Sequence, residues 1–570
     1  MKVVIVGGVA GGATAAARIR RLDENAKITV FEKSGYVSYA NCGLPYYIGG
    51  AITDPEELTL QTPESFKSRF QIDVRVRHEV TAVDTKKKTV KVKNLSTGEE
   101  FEESYDKLIL SPGAKPVKPA MTGVDTDRIF TLRTVEDTLR IHKFIAENDV
   151  KSAVIAGGGY IGLEMAENLT EKGIRVTIVQ RPNQVMAPLD YDMACQLHGL
   201  LRKKGITLKF ESSVTGFEEK DSLILTTLKD DDPLKSDLVI LAIGVTPDTA
   251  LAKDASLALG IKGSITVNER METSAPDVYA VGDAVQVKNF VTGEDALISL
   301  AGPANKQGRI AADNICGLKS SYDGSQGSSV IKIFDMTAAT TGINEKTAKQ
   351  LGIDYDKVVL FPLSHAGYYP GALAMSMKVI YEKKTLRLLG AQIVGYEGVD
   401  KRSDVIATAI RLGAKAGDLK NLDLAYAPPY SSAKDPVNMA GFMIENLHQE
   451  RVKQFHWHDV DSLPRDDSAV LLDVRTPFEY NRGHEPGFIN IQVDELRERL
   501  DEVERGKPVY VMCHSGLRSY IACRILTQHG FDCYNFSGGY GFLQSIRKEQ
   551  QAAANVYPLS LIHISEPTRH

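Results

Sequence analysis

Long apolar runs are missing from this chain. None reaches the ~18 residues that a membrane-spanning helix needs, so no membrane partner is expected. An excess of either charge is missing too. The 570 residues carry 68 Lys and Arg against 73 Asp and Glu, a net charge of −5, which argues against nucleic acid and anionic membrane surfaces as partners. The run Lys86-Lys87-Lys88 is read as a solvated turn between two strands. Cysteine is scarce: the six are scattered, make no disulfide framework and fit a reducing compartment. Met1-Lys2 leads straight into the strand-like Val3-Val4-Ile5-Val6, so no secretory signal is expected. The chain is expected to be cytoplasmic, and its cysteines are weighed singly as thiols.

What the chain does have is glycine turns between strands and helices. Val3 to Val6 runs into Gly7-Gly8-Val9-Ala10-Gly11-Gly12, an Ala-rich helix over residues 13–22, and a strand over 28–31 that ends in Glu32. Such glycines let the backbone approach a pyrophosphate at the helix N-terminus, and the acid takes the ribose hydroxyls. Val9 stands where the middle glycine is expected. The pattern recurs with a strand at 153–156, Gly157-Gly158-Gly159-Tyr160-Ile161-Gly162, a helix over 163–169 and a strand at 176–179 ending in Gln180-Arg181. An acid there favours NADH, and a basic side chain accepts the 2′-phosphate of NADPH. A neutral Gln180 beside Arg181 leaves that choice open.

Asp277-Val278-Tyr279-Ala280-Val281-Gly282-Asp283-Ala284 resembles the second FAD motif of two-dinucleotide flavoproteins. Leu108-Ile109-Leu110-Ser111-Pro112-Gly113-Ala114 resembles their strand-to-linker motif, and Ile243-Gly244-Val245-Thr246-Pro247 their returning strand. One nucleotide site inserted into another resembles the pyridine nucleotide-disulfide reductase family over roughly residues 1–445. The resemblance implies FAD and NAD(P)H bound by Gly7, Gly8, Val9, Ala10, Gly11, Gly12, Glu32, Lys33, Ser111, Pro112, Gly113, Gly157, Gly159, Gly162, Glu164, Gln180, Gly244, Gly282, Asp283 and Lys434.

Ser38-Tyr39-Ala40-Asn41-Cys42-Gly43-Leu44-Pro45-Tyr46-Tyr47 follows the first unit closely. Glutathione-reductase-type enzymes use C-x4-C here, but the second position is Tyr47, so Cys42 has no nearby partner in sequence. A lone thiol beside a flavin can cycle through a sulfenic acid, as in NADH peroxidases and water-forming oxidases, or form a mixed disulfide or persulfide with an outside thiol. Those peroxidases and oxidases carry a histidine where Ala10 stands. Ser38 to Tyr47, His365-Ala366-Gly367-Tyr368-Tyr369-Pro370-Gly371 and Ala425-Tyr426-Ala427-Pro428-Pro429-Tyr430-Ser431-Ser432-Ala433-Lys434-Asp435 resemble the coenzyme A disulfide reductases. That resemblance implies a homodimer in which Tyr368 and Tyr426 reach the other subunit's active site, with Tyr369 and Tyr430 as alternatives. It also implies coenzyme A contacts at Thr14, Arg18, Arg21, Ser38, Asn41 and Asn305. Phe70 departs from the lysine that some members use for coenzyme A; Lys67 and Arg69 stand close by. Alternating strands at 330–334, 336–342, 358–362, 375–381 and 388–394, with helices at 401–412 and 416–421, resemble the family's interface domain.

Later, Ala469-Val470-Leu471-Leu472-Asp473-Val474-Arg475-Thr476-Pro477-Phe478-Glu479-Tyr480 and a strand at 508–512 precede Cys513-His514-Ser515-Gly516-Leu517-Arg518-Ser519. This resembles a rhodanese domain over 456–548. A thiol at a strand end, wrapped by a loop that opens a helix, sits in a nest of backbone N–H groups; those groups and Arg518 favour a thiolate and a bound persulfide. The C-x4-R loop is shorter than the C-x5-R loop of related phosphatases, which argues for sulfur transfer. Cys195, Cys316, Cys523 and Cys533 lack such a context and are read as core thiols.

The expected fold is α/β: Rossmann-like FAD (1–112 and 246–325) and NAD(P)H (113–245) domains, an α+β dimerisation domain (326–446), a linker (447–455) and an α/β rhodanese domain (456–548). Residues 558–570 resemble a translated adapter scar and are set aside. The whole resembles coenzyme A disulfide reductase–rhodanese fusions. That implies an NAD(P)H-dependent flavoprotein acting through Cys42 on a small-molecule disulfide, persulfide or polysulfide, with Cys513 carrying sulfane sulfur and no metal. The alternatives are an NADH oxidase or peroxidase using a Cys42 sulfenate, and a redox-sensing sulfur carrier.

Overall fold

The computed structural model describes residues 1–556, so the tail at 558–570 lies outside the described residues. The described chain divides into two units: Met1–Val185 with Lys204–Gly327, and Met186–Lys203 with the residues from Ser328 onward.

The first unit holds two parallel five-stranded sheets. One runs in the order Val278–Ala280, Lys107–Leu110, Lys2–Val6, Lys27–Glu32, Asp73–Val76. Its central strand is apolar on both faces because both faces are covered; Val3, Val4 and Ile5 have no exposed surface. The register sets Val6 level with Phe31 and Leu110. The glycine turn, Glu32 and Ser111 therefore leave the same carboxyl edge, where open α/β sheets bind ligands. The other sheet runs Thr207–Lys209, Arg175–Val179, Ser152–Ala156, Leu238–Leu241, Ile129–Phe130. It sets Ala156 level with Val179 and Leu241. The two chain crossings between these halves pair with each other, Ala114–Pro116 against Val245–Pro247. The lysine run at 86–88 turns between the strands His78–Asp84 and Thr89–Asn94.

The second unit begins with an antiparallel sheet in the order Ser329–Ile333, Met336–Gly342, Leu388–Gly395, Ser376–Glu382, Tyr355–Leu360, with helices Val399–Arg411 and Pro436–His448. The 416–421 stretch forms a 3-10 helix rather than an α-helix. The Tyr191–Lys203 helix joins this unit, although the sequence places it within the second nucleotide domain.

A buried ion cluster underlies that junction. The Lys378 ammonium, with no exposed side-chain surface, lies 2.6 Å from Asp192, 2.7 Å from Glu345 and 3.3 Å from Asp190. Lys357 and the Tyr355 hydroxyl also meet Glu345, and Gln392 meets Asp190. Burial alone would drive the Lys378 pKa down, but the surrounding carboxylates outweigh it and hold it up.

The C-terminal sheet is parallel, in the order Lys453–Phe455, Cys533–Phe536, Val509–Met512, Val470–Asp473, Ile489–Asn490. The stretch 447–455, expected as a linker, differs from that reading. The preceding helix runs on to His448, and Lys453–Phe455 pairs with Tyr534–Phe536, because Phe455 has a core to enter and is 4% exposed. The module is seated on the rest of its unit. Gln454 Nε2 donates to Lys357 O at 2.8 Å, Val359 N to Ser537 Oγ at 3.3 Å, and the Arg202 guanidinium grips Glu549 at 2.7 and 3.1 Å. Among the described residues no helix is long and apolar enough to cross a membrane.

Candidate active site

In the first glycine turn, backbone approach leaves no room for side chains at two positions. A Cβ on Gly12 would lie 1.9 Å from Gly7 O, and one on Gly7, at φ +94°, would lie 2.0 Å from Ser111 O. Val9 has φ −99°, so its position asks nothing of glycine, and Ala10 opens the helix Ala10–Leu22. Glu32 accepts from Gly8 N at 2.8 Å and Ser34 N at 2.9 Å. Burial pushes the Glu32 pKa up while those two amides pull against it. Lys33 reaches Asp248 at 3.5 Å. A dinucleotide fits this frame: the Ala10–Leu22 helix begins directly at the turn, and the acid ends the neighbouring strand.

The second turn repeats the device with a neutral residue. Gln180 Oε1 accepts from Gly158 N at 3.0 Å, as Glu32 accepts from Gly8. A Cβ on Gly162 would lie 2.0 Å from Gly157 O, whereas Gly159 and Gly244 face open space, which leaves their backbones approachable by a ligand. Arg181 is exposed.

Cys42 lies in the short turn Asn41–Gly43, ahead of the helix Leu44–Gly49. Two anchors place it. Ser38 N donates to Gly8 O at 2.9 Å, tying the segment to the first glycine turn. On the other side, Asn41 has its amide oriented so that both ends are satisfied: it donates to Arg133 O at 3.0 Å and accepts from Arg133 Nη1 at 3.2 Å. Arg133 Nη2 in turn donates to Asp283 at 2.6 Å, in the segment after Gly282, whose N–H is held by Gln307. Gly113 comes near the same guanidinium, with Pro112 and Ser111 just before it. Arg133 escaped the sequence reading because no motif marks it; its partners are distant in the chain.

The Cys42 side chain is exposed, yet the protein around it pushes the thiol pKa up; Glu164 adds to this and Arg133 opposes it. Glu164 comes from the helix Tyr160–Glu171, which the Cys42 helix meets so closely that a Cβ on Gly49 would lie 1.8 Å from Asn168 Oδ1. Burial first, and then Glu167, lifts the Glu164 pKa to about 7. Tyr47, at the second position of C-x4-C, is buried.

The residues read as coenzyme A contacts separate into groups. Thr14 Oγ1 donates to Asn305 Oδ1 at 2.7 Å across the Ala10–Leu22 and Ala301–Ile315 helices. Arg18 is paired with Asp313 at 2.7 Å, and Arg21 is exposed. Phe70 ends a helix and packs on Phe66, and its carbonyl accepts from Arg20; Lys67 and Arg69 are exposed beside it.

In the second unit the hydroxyls of Tyr368 and Tyr426 meet at 2.6 Å, and both side chains are exposed. The hydrogen bond between the two hydroxyls raises the Tyr368 pKa. Arg402, buried and absent from the sequence reading, joins the two segments behind them. It donates to Ser364 O at 3.0 Å, Ser431 Oγ at 3.1 Å and Asp435 at 3.0 Å. Ala366 N adds a bond to Ser431 O. Tyr369, Tyr430 and Lys434 are exposed.

Cys513 follows the strand Val509–Met512, and its sulfur accepts from Gly516 N at 3.1 Å and Ser519 Oγ at 3.2 Å. The Arg518 fork has a carboxylate partner of its own. It is bidentate to Glu479 at 2.6 and 2.7 Å, which pulls the Glu479 pKa down to about 2. Cys195, Cys523 and Cys533 are buried and Cys316 is half-buried.

Comparison with known proteins agrees with this layout. Residues 1–308 match the pyridine nucleotide-disulphide oxidoreductase family, 328–436 its dimerisation domain and 457–541 a rhodanese-like domain. A coenzyme A disulfide reductase of Staphylococcus haemolyticus is 39% identical over 447 residues, 78% of this chain and 100% of that protein. The crystal structure of reduced Bacillus anthracis CoADR-RHD matches with a TM-score of 0.94 at 48% identity, covering 96% of this chain and 98% of the other. An NAD-dependent persulfide reductase from A. fulgidus matches at 0.89 and 38%, covering 95% and 100%.

Proposed function

The chain belongs to the pyridine nucleotide-disulphide oxidoreductase family and carries its dimerisation domain and a rhodanese-like domain, and from this we propose that it reduces coenzyme A persulfide, coenzyme A disulfide or polysulfide through Cys42. The observation that carries the reading is the placement of one thiol, pinned to the first glycine turn through Ser38 and to Asp283 through Asn41 and Arg133. The relatives named above for disulfide and persulfide reduction support the substrate class.

Bound FAD and NAD(P)H supply two electrons. The chain's residues do the rest. Glu32 and Gln180 hold the two glycine turns in shape for the nucleotides. Thr14, Asn305, Arg18, Arg21, Ser38 and Asn41 hold coenzyme A. The Cys42 thiolate attacks the inner sulfur of R–S–SH, forming Cys42–S–S–R and expelling hydrosulfide. Two electrons and a proton then cleave that mixed disulfide, releasing RSH and restoring the thiolate. With a disulfide substrate the first leaving group is a thiolate instead. The protein works as a homodimer, and Tyr368 of the partner subunit and Tyr426 of the partner subunit protonate the leaving sulfur. Cys513 carries sulfane sulfur.

Intact mass of the oxidised protein with and without dithiothreitol, mapped to Cys42, tests this. A reducible adduct of coenzyme A mass is expected, and Cys42→Ser should abolish NAD(P)H-linked persulfide reduction while FAD stays bound. Undiminished turnover in that variant overturns the mechanism, and a gain of one oxygen on Cys42 would point to peroxide chemistry instead.

A further inference from the structure

The loop around Cys513 has its cation already spent. Both arms of the Arg518 fork lie on Glu479, and Glu479 Oε2 also accepts from Thr476 N at 3.0 Å and Thr476 Oγ1 at 2.9 Å. A bidentate, charge-assisted pair of this kind holds its geometry, so releasing Arg518 to an incoming anion costs the pair. The neighbouring guanidinium, Arg475, is likewise committed to Asp473 at 2.6 Å. The side-chain and backbone donors that meet the sulfur are themselves uncharged, the Gly516 N–H and the Ser519 hydroxyl.

The residues flanking that pair are apolar and open. Phe478, next to Glu479, is 71% exposed; Leu517, next to Arg518, is 60% exposed; Ile521, one turn further along the same helix face, is 39% exposed. Cys513 itself is buried, and exposed apolar side chains grouped beside the ion pair that borders its loop mark a contact surface. Charge neutrality inside and apolar surface outside suit the same ligand.

We infer that the Cys513 site takes sulfur from a terminal persulfide on an uncharged, partly apolar arm in preference to dianionic thiosulfate, and that Glu479 sets this preference. The inference rests on the reading that Cys513 carries sulfane sulfur, and it names that site's donor. In the step, the Cys513 thiolate attacks the outer sulfur of R–S–SH. The donor S–S bond breaks, a Cys513–S–S bond forms, and R–S⁻ leaves and takes the proton, with no net oxidation. The same transfer from thiosulfate brings two negative charges beside the thiolate and must expel sulfite as a dianion, and Arg518 is not free to meet either.

The test uses the full chain carrying Cys42→Ser, so that failure of the Cys42 mechanism leaves the result readable. Sulfur loading of Cys513 is followed by intact mass and peptide mapping, with pantetheine persulfide and with thiosulfate. The unaltered rhodanese site should load from the persulfide faster. Adding Glu479→Gln, which keeps an acceptor for Thr476, should raise the thiosulfate-to-persulfide rate ratio roughly tenfold, the effect of one unit charge about 10 Å away in a near-surface site. Arg518→Ala in that background should erase the gain. A fold-independent comparison needs no change at Glu479: a neutral-armed persulfide should load faster than the persulfide of mercaptoethanesulfonate. Equal loading from thiosulfate and persulfide, no preference for the neutral arm, or an unchanged ratio in Glu479→Gln overturns the inference. No loading from any donor overturns it together with the sulfur-carrier reading.

Discussion

Replacing Lys378 by methionine should unbalance the second unit more than any surface change. The ammonium is enclosed by Asp190, Asp192 and Glu345, whose oxygens all lie within 4.8 Å of one another. Methionine keeps the volume and removes the charge, leaving Lys357 to face three carboxylates. Removing one partner of a buried pair costs about 3–5 kcal/mol. At roughly 2–4 °C per kcal/mol for a unit of this size, the melting midpoint should fall by about 6–20 °C. The loss has a pH signature. In the variant, the orphaned carboxylates acquire folded pKa values above their unfolded ones, so their penalty is absent at low pH and grows as pH rises through the raised values. Calorimetric melts at about pH 8 and about pH 5.5 should show the larger deficit at the higher pH. Three clustered oxygens also suit a hard cation, so millimolar Ca²⁺ should recover part of the loss in the variant and nothing in the parent. A drop below about 2 °C, or an equal deficit at both pH values, would refute the account of this cluster.

Other outcomes follow from the first unit and the tyrosine pair. Gly12→Ala should abolish FAD retention, read as flavin absorbance after purification, because its Cβ meets Gly7 O at 1.9 Å and backbone cannot yield. Glu164 has a folded pKa of about 7 against an unfolded 4.5, so the stability tied to its neutral form is lost as pH rises through 7. Glu164→Gln should therefore gain melting temperature over the parent progressively from about pH 5 to pH 8, worth up to about 3 kcal/mol. Tyr368→Phe should lower kcat for persulfide reduction by roughly 100-fold, the lower end for a lost proton donor, with flavin content intact. Arg133→Met should slow alkylation of Cys42 by iodoacetamide at fixed pH, since its cation opposes the groups that raise that thiol's pKa.

The glycine turns were legible because their demands are local. A strand, a turn too tight for a Cβ and a helix start all fall within about a dozen residues, and Gly7, Gly12, Gly157 and Gly162 show it. The placement of Cys42 in a short turn and of Cys513 at a strand end was legible for the same reason. Pairings made across the chain left no local trace. Arg133 reaches Asp283 over 150 residues and Arg518 reaches Glu479 over 39. Arg402 looks like any charged residue of an amphipathic helix until Ser431 and Asp435 close around it. In sequence Gln180 speaks only to the choice of cofactor, whereas in the fold its side chain braces Gly158. The polar run after Asn446 read as a tether because helix ends and tethers share a composition; what decides between them is whether Phe455 has a core to enter.

The seating of Phe455 constrains any sulfur delivery by Cys513. A module joined by a slack tether sweeps its reactive thiol through a volume and makes delivery a matter of effective concentration. Here the chain leaves the helix at His448 and is already a sheet strand by Lys453, with Gln454, Ser537 and Glu549 fastened to residues outside the module. A thiol held this way has no reach of its own. On the proposed sulfur-carrier role of Cys513, the travelling arm would belong to the carrier thiol, and throughput should scale with free carrier in solution, as between two enzymes that share a metabolite pool.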